Sequence, residues 1–177
     1  MQNMAFLAEG ILKQHWNQSV PVNVAHIVKQ MGVRLQLHSE LAVCAVLTIA
    51  ANNQAHIALR QQLAHVHQRY VVAHALAHVA LHHLRPGMSQ VIQISADFRL
   101  DFSQRHTLEA NDFALRLLMP EAALRYALEV MQARDVQELA HVFAVPVLFV
   151  KQRLSELGLP LPRVAVRPAT PLTIELE

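Results

Sequence analysis

The pattern of apolar and polar residues along the chain predicts many helices and a few short strands. Apolar residues that recur every three or four positions indicate amphipathic helices, and short alternating or continuous apolar runs indicate strands. By this criterion helices are expected at about residues 4–16, 23–31, 62–84, 104–119, 121–133, 135–144 and 146–158. Strands are expected at 33–37, 44–49 and 55–59. The pattern therefore favours a mostly helical chain with a small sheet.

Two further segments depart from this helical pattern. Residues 94–103 alternate strictly between apolar and polar types, which predicts a strand or one arm of a hairpin. The segment from Leu159 onward contains four prolines and has no helical period, so it is expected to be extended. We therefore divide the chain into a core at 1–120, a C-terminal helical subdomain at 121–159 and an extended tail at 160–177.

Composition narrows the class of protein. The formal net charge is +2, which is too small to indicate nucleic acid or an anionic membrane as the partner. Cys44 is the single cysteine and lies in an apolar run, which predicts a buried thiol and a reducing compartment. The longest apolar run, 41–51, is too short to span a membrane, and the N-terminus lacks a basic start. We expect a cytoplasmic protein.

Histidines are concentrated in the predicted helix at 62–84. The chain has 12 histidines, and six of them lie between positions 65 and 83. His74 and His78 are four residues apart, so they lie on one helix face and could bind one metal ion. His78 and His82 form a second such pair, and His67 lies two turns before His74. A helix in which the histidines are only core residues is the simpler interpretation.

A carboxylate on the next helix favours the metal interpretation with His74 and His78. Glu109 lies on an otherwise apolar helix face, where a carboxylate requires a partner. Two imidazoles and one carboxylate, with a fourth position open, are typical of catalytic zinc. Zinc peptidases carry a general-base glutamate directly after the first histidine, and here that residue is Ala75. The residues predict a zinc site that lacks its base. Other carboxylates could replace that base in principle, but we do not favour them: Asp97, Asp101 and Asp112.

Two segments together resemble the ImmA/IrrE family of bacterial and phage metallopeptidases. They are Gln-Arg-Tyr-Val-Val-Ala-His-Ala-Leu-Ala-His at 68–78, and Glu-Ala-Asn-Asp-Phe-Ala at 109–114 followed by Leu-Leu-Met-Pro at 117–120. With weaker similarities on either side, the resemblance covers about residues 5–159. It implies an α+β fold in which the helix with the histidine pair packs on a small mixed sheet of about three strands.

The resemblance also implies a site and a substrate. It implies that His74, His78 and Glu109 bind Zn²⁺. It implies as the protein partner a helix-turn-helix transcriptional repressor, which is cleaved to induce stress genes or a phage or other mobile element.

The sequence departs from the family pattern mainly at Ala75, where the family has glutamate. We interpret Ala75 as an engineered substitution that makes the peptidase inactive or nearly so. A natural pseudopeptidase that binds and sequesters a regulator is the alternative. Ala77 replaces a frequent glycine of similar size, and the segment at 88–105 is long for the family. Residues 135–158 have the spacing of a helix-turn-helix. The second helix of this pair carries few basic residues, so direct nucleic-acid binding is not favoured.

Overall fold

The computed structural model describes residues 2–94 and 104–162 as an α+β fold that is mostly helical, which confirms the predicted fold class. The helices are α1 (Gln2–His15), α2 (Val24–Gln30), α3 (His65–Ala80), α4 (Arg105–Leu118), α5 (Glu121–Glu129), α6 (Val136–Phe143) and α7 (Val147–Glu156). The strands are β1 (Arg34–His38), β2 (Ala45–Ile49), β3 (Ala55–Arg60) and β4 (Ser89–Ile92). The predicted alternating stretch beyond residue 94, and the predicted tail beyond residue 162, lie outside the described residues.

The four strands form one mixed sheet in the order β1-β3-β2-β4. β1 is parallel to β3, whereas β2 is antiparallel to both β3 and β4. The sheet has one strand more than expected, because the short β4 had not been predicted. β1 lies at one edge of the described sheet, and Leu37 on this strand is 55% exposed.

The central element of the fold is α3, which packs against α4, β3 and α2. All ten residues from Arg69 to His78 are buried. A helix that is buried on every side needs no polar face, which explains the nearly continuous apolar pattern in this part of the sequence. Cys44 is also buried, as predicted, and its thiol contacts the backbone of Ile94. None of the described helices combines the length and the apolar character needed to cross a membrane.

Four helices end with the same backbone arrangement, in which one residue with positive φ follows the helix. These residues are Gly32, His82, Ala144 and Gly158. In each case the amide of the next residue donates to the carbonyl oxygen five residues earlier, which is the hydrogen bond of a Schellman motif. α2 ends just before Gly32, close to the end predicted at residue 31. At α3 this arrangement places His83 directly against the last turn of the helix.

The predicted start of α6 is also confirmed. Asp135 Oδ1 accepts a hydrogen bond from the Glu138 amide at 2.8 Å, as expected for a residue that caps a helix. Glu138 Oε2 in turn accepts from the Arg134 amide at 2.7 Å. The C-terminal helices are tied to α3 by Arg69, whose guanidinium donates to the carbonyl oxygens of Phe143 and Ala144 at the end of α6.

Candidate metal centre

His74 and His78 meet on one face of α3, as their spacing predicted. Their Nε2 atoms are 3.2 Å apart, and the two residues are only 6% and 3% exposed. Two nitrogens that each lie about 2.0–2.1 Å from a tetrahedral zinc ion are about 3.3–3.4 Å apart. The observed separation is close to this value. His82, which offered an alternative pair, lies beyond the end of α3 and is exposed.

Both histidines are neutral at physiological pH. Burial lowers the pKa of His74 to about 4, and Asn111, which lies against it, partly opposes this effect. Burial also lowers the pKa of His78 to about 3, and repulsion from the neighbouring histidines adds to the effect. A neutral imidazole has a free lone pair on one nitrogen, and this is the form that binds metals.

The histidine pair faces a cleft of about 210 Å³ between α3, β4 and α4. The floor comes from Tyr70, His74 and His78, and one wall is the segment 90–94, which includes most of β4. The other wall carries the polar side chains of Gln104, Thr107 and Asn111. Since β4 is an edge strand of the described sheet, the cleft lies beside backbone groups that can still form hydrogen bonds.

Glu109, the predicted third ligand, is joined to the pair through another histidine. Its Oε2 lies 3.1 Å from His83 Nε2, and its Oε1 accepts from Arg105 Nε at 2.8 Å. His83 Nδ1 lies 3.0 Å from His78 Nδ1. Within 2–94 and 104–162, no three side chains of the metal-binding types converge on one point. The structure therefore brings the two histidines together and holds the carboxylate one residue away.

The donor types nevertheless fit a zinc ion. The hydrogen bond from Arg105 lowers the pKa of Glu109, so the carboxylate is ionised and can act as a ligand. The Arg105 side chain is 87% exposed, and exposed ion pairs contribute little to stability. Glu109 can therefore exchange Arg105 for another cation at small cost. Two neutral imidazoles and one available carboxylate form the set found at catalytic zinc.

Asn111 and Tyr70 support the site from the side of α4. Tyr70 Oη lies 2.6 Å from Asn111 Oδ1, and both residues are buried. In this arrangement Asn111 Nδ2 and His74 Nδ1 are buried without a hydrogen-bond partner. The oxygen and nitrogen of an asparagine amide are nearly identical in shape, so their positions can be exchanged by rotating the amide by about 180°. In the rotated form of Asn111, Oδ1 accepts from His74 Nδ1–H and Nδ2–H donates to Tyr70 Oη. Asn111 can therefore direct the Nε2 lone pair of His74 into the cleft.

Ala75, which directly follows His74 where zinc peptidases carry a glutamate, is fully buried in the core. Among the described residues that line the cleft there is no carboxylate. Asp112, one of the predicted substitutes, accepts a hydrogen bond from Arg116 at 2.8 Å. Like Glu109, it lines a neighbouring cavity along α4 and not the cleft itself. Asp97 and Asp101 lie outside the described residues.

A larger cavity of about 550 Å³ lies away from the histidines, between α1 and the helices α4, α5 and α7. Three arginines line it, and each forms an ion pair with a carboxylate on its own helix: Arg116 with Asp112, Arg125 with Glu121, and Arg153 with Glu156. This cavity does not contain the histidine pair, so the smaller cleft is the better candidate for a metal site.

The sequence interpretation missed three residues of the site: Tyr70, His83 and Asn111. Asn111 is a polar residue on the apolar face of α4, and this was a signal comparable to that of Glu109. Tyr70 lies one turn before His74, so its place on the same helix face was also visible. His83 gave no local signal, because its position depends on the backbone turn at His82.

Comparisons with known proteins identify the family and the fold of the chain. The family described as the IrrE N-terminal-like domain matches residues 21–155. A solved structure of a Mycobacterium tuberculosis transcriptional regulator superimposes with a TM-score of 0.63 at 20% sequence identity, which shows a shared fold. The alignment covers 92% of this chain and 49% of that chain, so this chain spans about half of the regulator's length. No curated protein matches the chain. Because the family match extends over most of its 177 residues, the chain belongs to the IrrE N-terminal-like domain family of peptidases.

Proposed function

We propose that the chain binds one zinc ion through His74, His78 and Glu109 and recognises an intracellular repressor protein without cleaving it efficiently. The observation that carries the proposal is the 3.2 Å separation of two neutral imidazole nitrogens at the floor of a cleft. Zinc, when bound, supplies a Lewis acid that polarises a peptide carbonyl and activates water. The remaining steps depend on side chains of this chain.

The missing step is proton transfer. In a peptidase of this type a glutamate beside the first histidine accepts a proton from the attacking water and delivers it to the leaving amine. The methyl group of Ala75 can do neither, and the described wall residues of the cleft provide amide and hydroxyl groups instead of a carboxylate. A positioned proton-transfer group contributes about 10²–10⁴-fold to rate. Without this contribution to the rate, the chain has almost no peptidase activity.

The shape of the cleft supports a peptide as the bound molecule. β4 pairs with β2 on one side and forms an edge of the described sheet on the other. An extended peptide can add to such an edge through backbone hydrogen bonds, and nearby pockets select its side chains. Val91 on β4 is 55% exposed, which leaves apolar surface available to a peptide. Membership in the family suggests a helix-turn-helix repressor as the protein that supplies this peptide.

The experiment is to restore the base and compare it with an uncharged residue of the same shape. The Ala75→Glu protein, loaded with zinc and mixed with a repressor encoded beside it in the genome, is expected to cleave that repressor. The Ala75→Gln protein and the unchanged protein are expected to be slower by about 10²–10⁴-fold. A folded, zinc-loaded Ala75→Glu protein that leaves the repressor intact would contradict the peptidase origin of the site.

A second candidate function, sequestration of a regulator, is supported by the burial of Ala75. A position with no exposed surface leaves little room for a longer side chain, as expected for a site that has adapted to alanine. In that case Ala75→Glu would lower the stability of the protein and give no cleavage. The unchanged protein would still bind the repressor, and an equilibrium binding measurement would detect it.

A further inference from the structure

His83 connects the two elements of the proposed zinc site. Its Nδ1 lies 3.0 Å from Nδ1 of His78 on α3, and its Nε2 lies 3.1 Å from Oε2 of Glu109 on α4. The His83 side chain is only 5% exposed, and its ring stacks on that of His106 with 4.2 Å between the ring centres. Packing and both nitrogens therefore hold the ring in one orientation.

The position of His83 follows from the way α3 ends. His82 adopts a φ of +53°, and the amide of His83 then donates to the carbonyl oxygen of His78 at 3.0 Å. In a Schellman motif the residues at these two positions commonly touch through apolar side chains. Here both are histidines, so the contact that usually closes a helix end joins two imidazole rings.

The contacts allow one consistent placement of protons among neutral histidines. Glu109 is ionised and can only accept, so His83 donates from Nε2–H. Neutral His83 then has a bare Nδ1, which accepts from His78 Nδ1–H. His78 is thereby left with an unprotonated Nε2, and this is the atom that faces His74 across 3.2 Å. The tautomer that a metal requires is therefore imposed from the side opposite the cleft.

We propose that His83 is a positioning residue that bridges His78 and Glu109: its Nδ1 orients His78 for zinc, and its Nε2 is held in place by Glu109. The inference rests on the proposed zinc site and adds a residue to it. Outer hydrogen-bond partners of metal-binding histidines fix both the tautomer and the ring orientation, and their loss typically weakens metal binding about 10–100-fold. His83 differs from an ordinary partner because it contacts two ligands from different helices.

Two conservative variants separate the two ends of the bridge. His83→Asn keeps a polar group close to the position of Nδ1 and loses the contact with Glu109. His83→Gln keeps a polar group near the position of Nε2 and loses the contact with His78. His82→Asn is the matched control. Asparagine tolerates the positive φ at this position, and His82 itself takes no part in the contacts of His83 with His78 and Glu109.

The first measurement is zinc affinity by competition with a chromophoric chelator. Both His83 variants are expected to bind zinc about 10–100-fold more weakly than the unchanged protein, and His82→Asn is expected to match it. If the unchanged protein binds zinc and both His83 variants bind it equally well, the bridge is refuted. If the unchanged protein binds no zinc, the proposed function fails.

The second measurement decides the inference even without zinc. ¹⁵N NMR of the zinc-free protein reports which ring nitrogen of His78 carries the proton. The proton is expected on Nδ1 in the unchanged protein, in His82→Asn and in His83→Asn, and is expected to redistribute in His83→Gln. A His78 tautomer that is the same in His83→Gln as in the unchanged protein would overturn the role of His83, because a purely packing residue has no influence on it.

Discussion

Tyr70 Oη and Asn111 Oδ1 lie 2.6 Å apart in the interior, and they join α3 to α4 beside the histidine pair. The Tyr70 ring also packs against Phe149, with 4.6 Å between the ring centres. Burial raises the pKa of the Tyr70 hydroxyl, so it remains protonated. This residue therefore contributes both apolar packing and a buried hydrogen bond, and the two contributions can be separated by removal of one oxygen atom.

Tyr70→Phe is expected to destabilise the protein by about 1–3 kcal/mol, because the change leaves a buried polar group of Asn111 without this partner. The ring and its packing against Phe149 are retained. Tyr126→Phe is the control, since Tyr126 is 56% exposed and its hydroxyl can be replaced by water contacts. Urea unfolding of the three proteins provides the comparison. Equal unfolding free energies for both variants would mean that the hydroxyl of Tyr70 contributes nothing.

Arg69→Met is expected to loosen the attachment of α6 to α3. The Arg69 guanidinium donates to Ala144 and Phe143 carbonyl oxygens at 3.3 and 3.4 Å, and methionine fills similar space without donors. Hydrogen bonds from charged groups contribute about 1.5–3 kcal/mol each, although the burial of Arg69 offsets part of this. Thermal unfolding should show a lower midpoint for this variant than for Arg34→Met, in which the replaced arginine is exposed on β1. An unchanged midpoint of thermal unfolding would show that the hydrogen bonds from Arg69 to the end of α6 do not stabilise the protein.

Ala144→Gly is expected to stabilise the protein. Ala144 has a φ of +49° at the end of α6, a conformation that costs a non-glycine residue roughly 1 kcal/mol. Glycine adopts it without steric cost, although it adds some entropy to the unfolded chain. Ala123→Gly, within α5, should instead lower stability by roughly 0.5–1 kcal/mol. Denaturant unfolding measures both changes, and a loss of stability at position 144 would show that its backbone is unstrained.

Several features of the fold and site could be predicted from sequence, because they depend on local order. The four-residue spacing of His74 and His78 predicted that both lie on one face of a helix. The end of α2 lies next to a glycine, Gly32, a residue type that commonly ends helices. β4 was not predicted, because Ser89–Ile92 is short and its strand conformation depends on pairing with β2. His83 and Glu109 are 26 positions apart, and only tertiary packing brings them into contact.

Arg105→Ala is expected to strengthen zinc binding modestly. Arg105 occupies Oε1 of Glu109, so its removal frees an oxygen that the proposed site requires. Because its side chain is 87% exposed, the change should leave the unfolding free energy almost unaltered. Zinc titration monitored by calorimetry tests this expectation, with Arg125→Ala on α5 as the control for a change of net charge. Weaker zinc binding in Arg105→Ala than in Arg125→Ala would indicate that Arg105 holds Glu109 in place and does not compete with the metal.

The central claim is that the histidine pair on α3 holds a metal ion, and zinc content tests it most directly. The measurement is elemental analysis of protein dialysed against zinc and then against metal-free buffer. The unchanged protein and His65→Phe, altered at an exposed position of the same helix, are expected to retain one zinc ion per chain. His74→Phe, which keeps an aromatic ring but has no nitrogen, is expected to retain none. Zinc-free unchanged protein, or a folded His74→Phe protein with its zinc intact, would contradict the account.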